Sequence, residues 1–190
     1  QKIAQEVSPL LSEFSNDIRL NEKLFRKVKL VYDNRENLDL TIEQFTLLDK
    51  KYKSFARNGA NLNDTNKAKL RDIDMKLSKL SLQFGENVLA ETNAFQMNLT
   101  DEEQLKGLPD GAKEAAKMAA KEKGFGGWLI TLDYPSYIPF MTYADDRALR
   151  EKLAKAFGAR AFQKNEHDNQ KIVLDIVKLR HERANLLGYK

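Results

Sequence analysis

The stretch that decides the fold is residues 62–92, which read LNDTNKAKLRDIDMKLSKLSLQFGENVLAET. Its apolar side chains recur at steps of three and four residues, the spacing of one helix face. They are Leu70, Ile73, Leu77, Leu80, Phe84 and Val88. Asn63 or Asp64 fits the N-cap, and Asp72 stands four residues before Lys76, the favourable order for a helical ion pair. We interpret the stretch as an amphipathic core helix, with a coiled-coil partner surface as the alternative and a membrane-surface helix as the least favoured.

The composition excludes several classes of protein. The chain has 190 residues, a net charge of +4 and no cysteine, so disulfide scaffolds, thiolate zinc sites and cysteine nucleophiles are excluded. Acidic and basic residues alternate along the chain, and no sustained basic run with aromatic residues occurs, so we expect no nucleic-acid partner. No apolar run reaches the roughly 18 residues of a membrane span, so we expect none.

The first 60 residues predict three helices. Residues 3–18 carry an apolar face, and Pro9 inside them predicts either the start of a new helix or a kink. That face comprises Val7, Leu10, Leu11, Phe14 and Ile18. Asn21 is expected to cap a second helix that runs to Tyr32. Thr41 and Gln44 form a capping box for a third, which Gly59 would end in a left-handed conformation.

After Thr92 the pattern changes to alternating apolar and polar residues. Residues 94–99 and 128–133 are predicted to form strands that pair with each other. Between them, a capping box begins at Thr100, and Asp110 is expected to cap a helix over residues 112–123. A short helix is expected to begin near Ser136, with Pro139 in its first turn.

The last 46 residues predict two further helices. One begins after Asp145 or Asp146, and the other after Asp168 or Asn169, with Gly188 as its end. The apolar stripe of the final helix comprises Ile172, Val173, Ile176, Val177, Arg180, Ala184 and Leu187. The predicted fold class is mainly α, a multi-helix region with one small antiparallel β-element at about 94–99 and 128–133.

A search for catalytic groups predicts no catalytic, cofactor-binding or metal-binding residue in this chain. His181-Glu182 begins like an H-E-x-x-H zinc helix, but the fourth position is Asn185, so His181 is interpreted as a surface residue near a helix end. His167 is expected in a polar loop. The glycines at 124, 126 and 127 follow a helix and precede a strand, the wrong order for a phosphate loop.

One aromatic group leaves two interpretations open. It comprises Trp128, Tyr134, Tyr137, Phe140 and Tyr143. These side chains would either pack in a core around the second strand or line a groove for a peptide or another ligand.

Six segments together resemble the thimet-oligopeptidase family of zinc metallopeptidases, with the bacterial peptidyl-dipeptidase (dipeptidyl carboxypeptidase) branch nearest and oligopeptidase A next. They are residues 55–62 (FARNGANL), 80–89 (LSLQFGENVL), 107–109 (GLP), 134–137 (YPSY), 142–147 (TYADDR) and 179–189 (LRHERANLLGY). The resemblance extends from about Pro9 to Gly188.

The resemblance implies a helical enzyme with a deep channel between two halves, which cleaves short peptides with one zinc ion. Its zinc ligands lie on an H-E-x-x-H helix and a downstream Glu in the C-terminal half, and nothing here matches them. Residues 1–190 are therefore expected to be the N-terminal part of a two-lobed peptidase, a scaffold and channel wall that is inactive alone. The start at Gln1, within a helical pattern and without an initiator Met, also indicates a piece of a longer protein.

The expected partners are the missing C-terminal catalytic region and, for the whole enzyme, short peptides. The zinc would belong to the whole enzyme and not to this part. Self-association through an exposed apolar face is also expected, because a region cut from a larger fold leaves such a face. We expect a cytoplasmic protein, with the periplasm as the alternative.

Two other functions are considered. One is a helical protein-interaction module that uses the apolar stripe of residues 70–88, and the other is a non-enzymatic protein in its own right. If the stripe is instead a core seam, we expect it to pack against the helix of residues 41–58 and the final helix. The polar face with Lys69, Lys76, Lys79 and Gln83 would then face solvent or a channel.

Overall fold

The computed structural model describes residues 2–189, and the expectation for Gln1 lies outside them. The helices are α1 (Lys2–Arg19), α2 (Glu22–Asp33), α3 (Ile42–Arg57), α4 (Asp64–Ala94), α5 (Asp110–Glu122), α6 (Tyr134–Tyr143), α7 (Arg147–Gly158) and α8 (Gln170–Leu186). Strands β1 (Met97–Leu99) and β2 (Trp128–Ile130) pair antiparallel, with Asn98 opposite Leu129. The mainly α fold with one small β-element is therefore confirmed. Within the described residues, no helix combines the length and apolarity needed to cross a membrane.

The chain divides into two compact units. Unit 1 holds residues 2–83 and 172–189 of the described chain, and unit 2 holds residues 84–171. The expectation that residues 1–190 form one region of a two-lobed peptidase stays a prediction.

Unit 2 has a closed apolar core around the strand pair. Leu105 and Leu153 are fully buried, and Phe140 and Leu129 are nearly so. The core joins residues from both strands with α5, α6 and α7, and Trp128, Tyr137 and Phe157 pack against it. Burial of this apolar surface is the main stabilising contribution to unit 2.

Two glycines permit close backbone approaches in unit 2. Gly107 has φ +84°, and a Cβ there would lie 2.0 Å from the carbonyl oxygen of Tyr143. Gly127 has φ +82°, and a Cβ there would lie 2.1 Å from the carbonyl oxygen of Leu99. Any side chain at either position would therefore displace backbone.

Three predicted element starts in unit 2 are wrong. The capping box after β1 uses Asp101 with Gln104, not Thr100, and it opens a 3₁₀ turn at Glu102–Leu105. α5 begins at Asp110, which lies inside its first turn and does not cap it. α6 begins at Tyr134 rather than near Ser136, so Pro139 is inside the helix.

The predicted caps in unit 1 are confirmed. The backbone N–H of Leu24 donates to Oδ1 of Asn21 at 2.9 Å. Thr41 and Gln44 exchange the two hydrogen bonds of a capping box, and Gly59 has φ +97°. The hairpin of α2 and α3 is held by aromatic stacking, since Phe25 and Tyr32 each contact the ring of Tyr52.

The α4 stripe is a core seam over its first half. Leu70 and Ile73 are buried, Leu77 and Leu80 are half-buried, and Phe84 is 39% exposed. Asp74 of α4 accepts a 2.7 Å hydrogen bond from Nε of Arg183 in α8. The packing of the seam against the helix of residues 41–58 and the final helix stays a prediction. Asn63 caps α4 through the N–H of Asn66, and Asp72 pairs with Lys76 at 2.6 Å.

Helix α1 is continuous through Pro9, which excludes the start of a new helix there, one of the two predicted outcomes. Its apolar face is largely exposed: Leu10 and Phe14 are each 63% exposed. Its other face lies towards α4. There, the hydroxyls of Ser8 and Ser78 are 2.6 Å apart and Asp17 pairs with Arg71 at 2.7 Å. Helix α1 therefore packs within unit 1 by its polar side.

The entry into α8 depends on Asp168. Its carboxylate accepts hydrogen bonds from the backbone N–H groups of Lys164 (2.6 Å) and Gln170 (2.8 Å) and from the side chain of Gln170. Hydrogen bonds from the side chain and the backbone of Gln170, with that from Lys164, lower the pKa of Asp168. The stripe predicted for α8 is only partly buried, since Ile172 is buried while Val173 and Val177 are exposed.

Candidate functional site

Both histidines lie where the sequence indicates. His181 is exposed on α8, and its Nε2 lies 2.9 Å from Nδ2 of Asn185. His167 lies in the loop before α8, where its N–H donates to Asn165. Across residues 2–189, no three His, Asp or Glu side chains are grouped so that they could hold a metal ion.

The glycines at 124, 126 and 127 form the turn between α5 and β2. Gly124 has φ +75°, and the N–H of Phe125 donates to the carbonyl of Ala120 in a helix-ending turn. The turn therefore follows a helix C-terminus, which carries partial negative charge and does not favour phosphate.

The aromatic group divides between core and surface. Phe140 is buried, and Trp128 and Tyr137 pack against the core, whereas Tyr134 and Tyr143 are exposed. The rings of Tyr137 and Phe157 stack with centroids 4.2 Å apart. Core packing thus accounts for three of the five residues.

Beside Phe140 lies an apolar cavity of about 220 Å³ in unit 2. Its floor is the alanine face of α5, and its opposite wall is β2 with the first turns of α6. The alanines are Ala112, Ala115, Ala116 and Ala119. Thr131 and Ser136 are among its few polar residues, and the N–H of Thr131 already donates to Oγ of Ser136.

A groove of about 570 Å³ lies in unit 1, between α1, α4 and α8. We call it the serine groove, and its polar lining comprises Ser8, Ser12, Ser15, Asn16, Arg19, Asp74, Ser78, Ser81 and Arg180. The sequence search missed it. The available signal was the spacing of Ser8, Ser12 and Ser15, which places three hydroxyls on one face of α1.

Asn16 is the most deeply buried polar residue of the groove, at 4% exposure. Its side chain makes no hydrogen bond to any other residue between 2 and 189. In that same range, no side-chain nitrogen or oxygen is both sealed from solvent and without a partner. The amide of Asn16 therefore opens into the groove, where a ligand or water can reach it.

The charged residues of the groove leave an excess of positive charge. Asp74 is paired with Arg183, and both side chains are more than two thirds buried. Arg19 and Arg180 form no ion pair within the described part of the chain. The groove therefore presents two unpaired guanidinium groups beside an unpaired amide and several hydroxyls.

The polar face predicted for α4 is exposed at Lys69, Lys76, Lys79 and Gln83. Lys76 and Lys79 border a second cleft of about 510 Å³, whose other side carries Lys178 and Glu182 of α8. Charges of both signs meet there, so this cleft selects less for an anion than the serine groove does.

Comparison with known proteins identifies the relatives of this chain. The model of Peptidase family M3 matches residues 140–190. Oligopeptidase A of Escherichia coli is 36% identical over 190 residues, which cover 98% of this chain and 28% of that protein. This chain is similar to members of the M3 peptidase family over nearly all of its length. The resemblance to the thimet-oligopeptidase family is thereby confirmed.

Both branches named by the resemblance are present among the relatives of this chain. Dipeptidyl carboxypeptidase of Escherichia coli is 34% identical over all of the chain and 28% of its own length. Probable cytosolic oligopeptidase A of Arabidopsis thaliana is 35% identical over 98% of the chain. The chain spans a little over a quarter of the length of these relatives.

The zinc ion that the family resemblance implies does not fit the described residues. The one partial motif places Asn185 where the second imidazole would stand, and the Asn185 amide contacts the ring of His181. A protein zinc site needs at least three ligand side chains at about 2 Å from the ion. No chemical step is therefore derived through zinc from the residues of this chain.

Proposed function

We propose that this chain is the N-terminal helical region of a zinc-dependent oligopeptidase of the peptidyl-dipeptidase type, which hydrolyses short peptides. In this proposal the chain forms scaffold and channel wall, and residues outside it supply the zinc ligands and the catalytic groups. The carrying observation is the match of nearly the whole chain to about 28% of oligopeptidase A and dipeptidyl carboxypeptidase.

The exposed stripe of α1 supports the scaffold role. A helix that turns its polar face inward and exposes Leu10 and Phe14 presents a surface typical of one that packs against further protein. We propose that the catalytic region covers this stripe in the whole enzyme. In its absence, we propose that copies of the chain associate through the same stripe.

A chimaera tests the scaffold role. The aligned quarter of Escherichia coli oligopeptidase A is replaced by residues 1–190, and hydrolysis of a fluorogenic peptide is measured. We expect kcat/KM within about one hundredfold of the unaltered enzyme, because the zinc ligands and the catalytic groups lie outside the replaced region in this proposal. A hundredfold loss would equal roughly 2.7 kcal/mol of transition-state stabilisation. The isolated chain with zinc is expected to show no hydrolysis.

Two results would contradict the proposal. One is hydrolysis by the isolated chain with zinc. The other is a chimaera that folds, as judged by cooperative thermal unfolding, but does not cleave peptides. A chimaera with Phe14→Asp serves as control for the stripe, and we expect it to be less stable than its parent.

The interaction-module alternative retains one supporting observation. Phe84 of α4 is exposed, so this part of the 70–88 stripe can accept a partner helix, whereas Leu70 and Ile73 are already buried. Sedimentation of a peptide comprising residues 62–92 tests it. A stable dimer would favour the module, and a monomer would exclude it.

For the compartment we propose the cytoplasm, with the periplasm as the alternative. One relative is named a cytosolic oligopeptidase A, which supports the first. Fractionation of the source cells, followed by immunodetection of the chain, tests the two.

A further inference from the structure

We propose that the serine groove binds an extended peptide segment and holds its carboxylate, with Asn16 recognising a peptide group and Arg180 and Arg19 recognising the charge. This inference rests on the contacts of unit 1. It also gives the proposed channel wall a peptide-binding surface, and it is tested by binding rather than hydrolysis.

Asn16 offers hydrogen-bonding groups to a ligand in the groove. A primary amide has one acceptor oxygen and two donor hydrogens, and that of Asn16 lines the groove without being sealed from solvent. A ligand that displaces water from this amide must replace the lost hydrogen bonds, because an unsatisfied buried polar group is costly. A peptide group carries one donor and one acceptor, so it can satisfy both ends of this amide at once.

The charges that line the serine groove favour an anionic ligand. Asp74, the acidic residue that lines the groove, is neutralised by Arg183 at 2.7 Å. Arg19 and Arg180 line the same groove and have no acidic partner within residues 2–189. Guanidinium groups bind carboxylates through paired, charge-assisted hydrogen bonds, so the groove favours a ligand with a free carboxylate over a neutral one.

The size and the lining of the serine groove suit a short peptide. The groove measures about 570 Å³, within the range of roughly 300–1,000 Å³ typical of small-ligand sites. Val7, Leu11 and Leu77 line it beside the serines, so it offers apolar contact as well as hydroxyls. A peptide of two or three residues combines these features, since its backbone is polar, its side chains can be apolar and its terminus is anionic.

The test is a titration of the ¹⁵N-labelled 190-residue chain, followed by NMR. The probe is N-acetyl-Ala-Ala-Leu with a free carboxylate, and its C-terminal amide is the matched neutral ligand. We expect saturable shifts at the backbone amides of Ser12, Ser15 and Asn16, and an affinity for the acid about tenfold higher than for the amide.

Variants assign the contacts. Arg180→Gln should weaken binding of the acid about tenfold and leave binding of the amide nearly unchanged. Asn16→Leu, which is similar in volume, should weaken both ligands. The control is Arg57→Gln, which removes one positive charge from an exposed residue of α3 in the same unit and should change the affinity by less than about twofold.

Three results would overturn the inference. The first is the absence of saturable shifts in the groove up to the solubility limit of the peptide. The second is equal weakening by Arg57→Gln and Arg180→Gln, which would indicate unspecific attraction by net charge. The third is acetate alone binding at the same site as tightly as the peptide. None of these bears on the chimaera, which reports hydrolysis, so the two proposals can fail separately.

Discussion

The two units of this chain place their apolar residues in opposite ways. In unit 2, residues from both strands and three helices close around Leu105, Phe140 and Leu153. In unit 1, α1 directs Ser8, Asn16 and their neighbours inward and leaves its leucines and Phe14 outside. Similar amphipathic patterns thus have different outcomes, because burial depends on the available partner surface as well as on the helix that carries the pattern.

The contrast lies in which large apolar side chains each unit buries. Unit 2 buries Leu105, Phe140 and Leu153, although Met118 and Phe162 remain exposed. Unit 1 covers Leu70 and Ile73 but not the stripe of α1. We therefore expect the free energy of unfolding to fall strongly for substitutions in the core of unit 2 and little for substitutions at its surface. Substitutions in the α1 stripe should also change the free energy of unfolding little.

The largest expected effect on the free energy of unfolding is in the core of unit 2. Leu153→Ala removes a fully buried side chain and should lower the free energy of unfolding by about 2–5 kcal/mol, through lost burial and the cavity that remains. Urea denaturation monitored by circular dichroism measures it. Phe162→Ala in the same unit, at an exposed position, is the control and should change little. A loss under about 1 kcal/mol for Leu153→Ala would disprove a closed core.

The next largest effect on stability is a difference between two ion pairs of unit 1. Arg183→Gln leaves Asp74, a mostly buried carboxylate, without its cation, and should cost about 1.5–3 kcal/mol. Arg71→Gln breaks the more exposed pair with Asp17, and should cost about 0–1 kcal/mol. Thermal unfolding of both variants measures the difference. Equal losses of stability in the two variants would contradict the expectation that the more buried ion pair contributes more.

A smaller effect depends on pH and concerns the start of α8. Because hydrogen bonds lower the pKa of Asp168 below the ordinary 3.8, its ionised form stabilises the folded state. That contribution is present above pH 3.8 and is lost as the pH falls through the lowered pKa. Denaturation at a series of pH values should show a steeper acid loss for the native chain than for Asp168→Asn. Parallel curves would contradict the assignment.

The smallest effect on stability is expected at α1. The double variant Leu10→Ser and Phe14→Ser replaces exposed side chains, so the free energy of unfolding should change by no more than about 0.5 kcal/mol. Its effect should instead be on association. Sedimentation velocity should show oligomers of the native chain that the variant loses, and a native chain that is monomeric at all concentrations would disprove self-association through this stripe.

Local features were predictable because a few adjacent residues determine them. Asn21, Thr41 and Asp146 each accept hydrogen bonds from N–H groups two or three residues ahead, so the sequence alone reveals them. The strand pair was predictable from alternation on both sides of α5. The error at Thr100 arose because Asp101 can also cap, and the geometry selected the second residue.

The serine groove and the orientation of α1 could not be predicted in the same way. Periodicity shows which face of α1 is apolar, but it does not show whether this chain contains the surface that covers that face. The groove joins Asn16 to residues more than 55 positions away, such as Asp74 and Arg180. No local rule links those positions, so the site becomes visible only in the folded chain.

The discontinuity of unit 1 has a consequence for synthesis on the ribosome. Unit 2 is contiguous and can fold once residue 171 has left the exit tunnel, whereas unit 1 needs residues 172–189. Until α8 emerges, Asp74 has no Arg183 and the serine groove lacks the wall that carries Arg180. The N-terminal helices of unit 1 therefore emerge first, but unit 1 acquires its last helix only after unit 2 has been translated. During that time the exposed apolar side chains of α1 must be kept from aggregating.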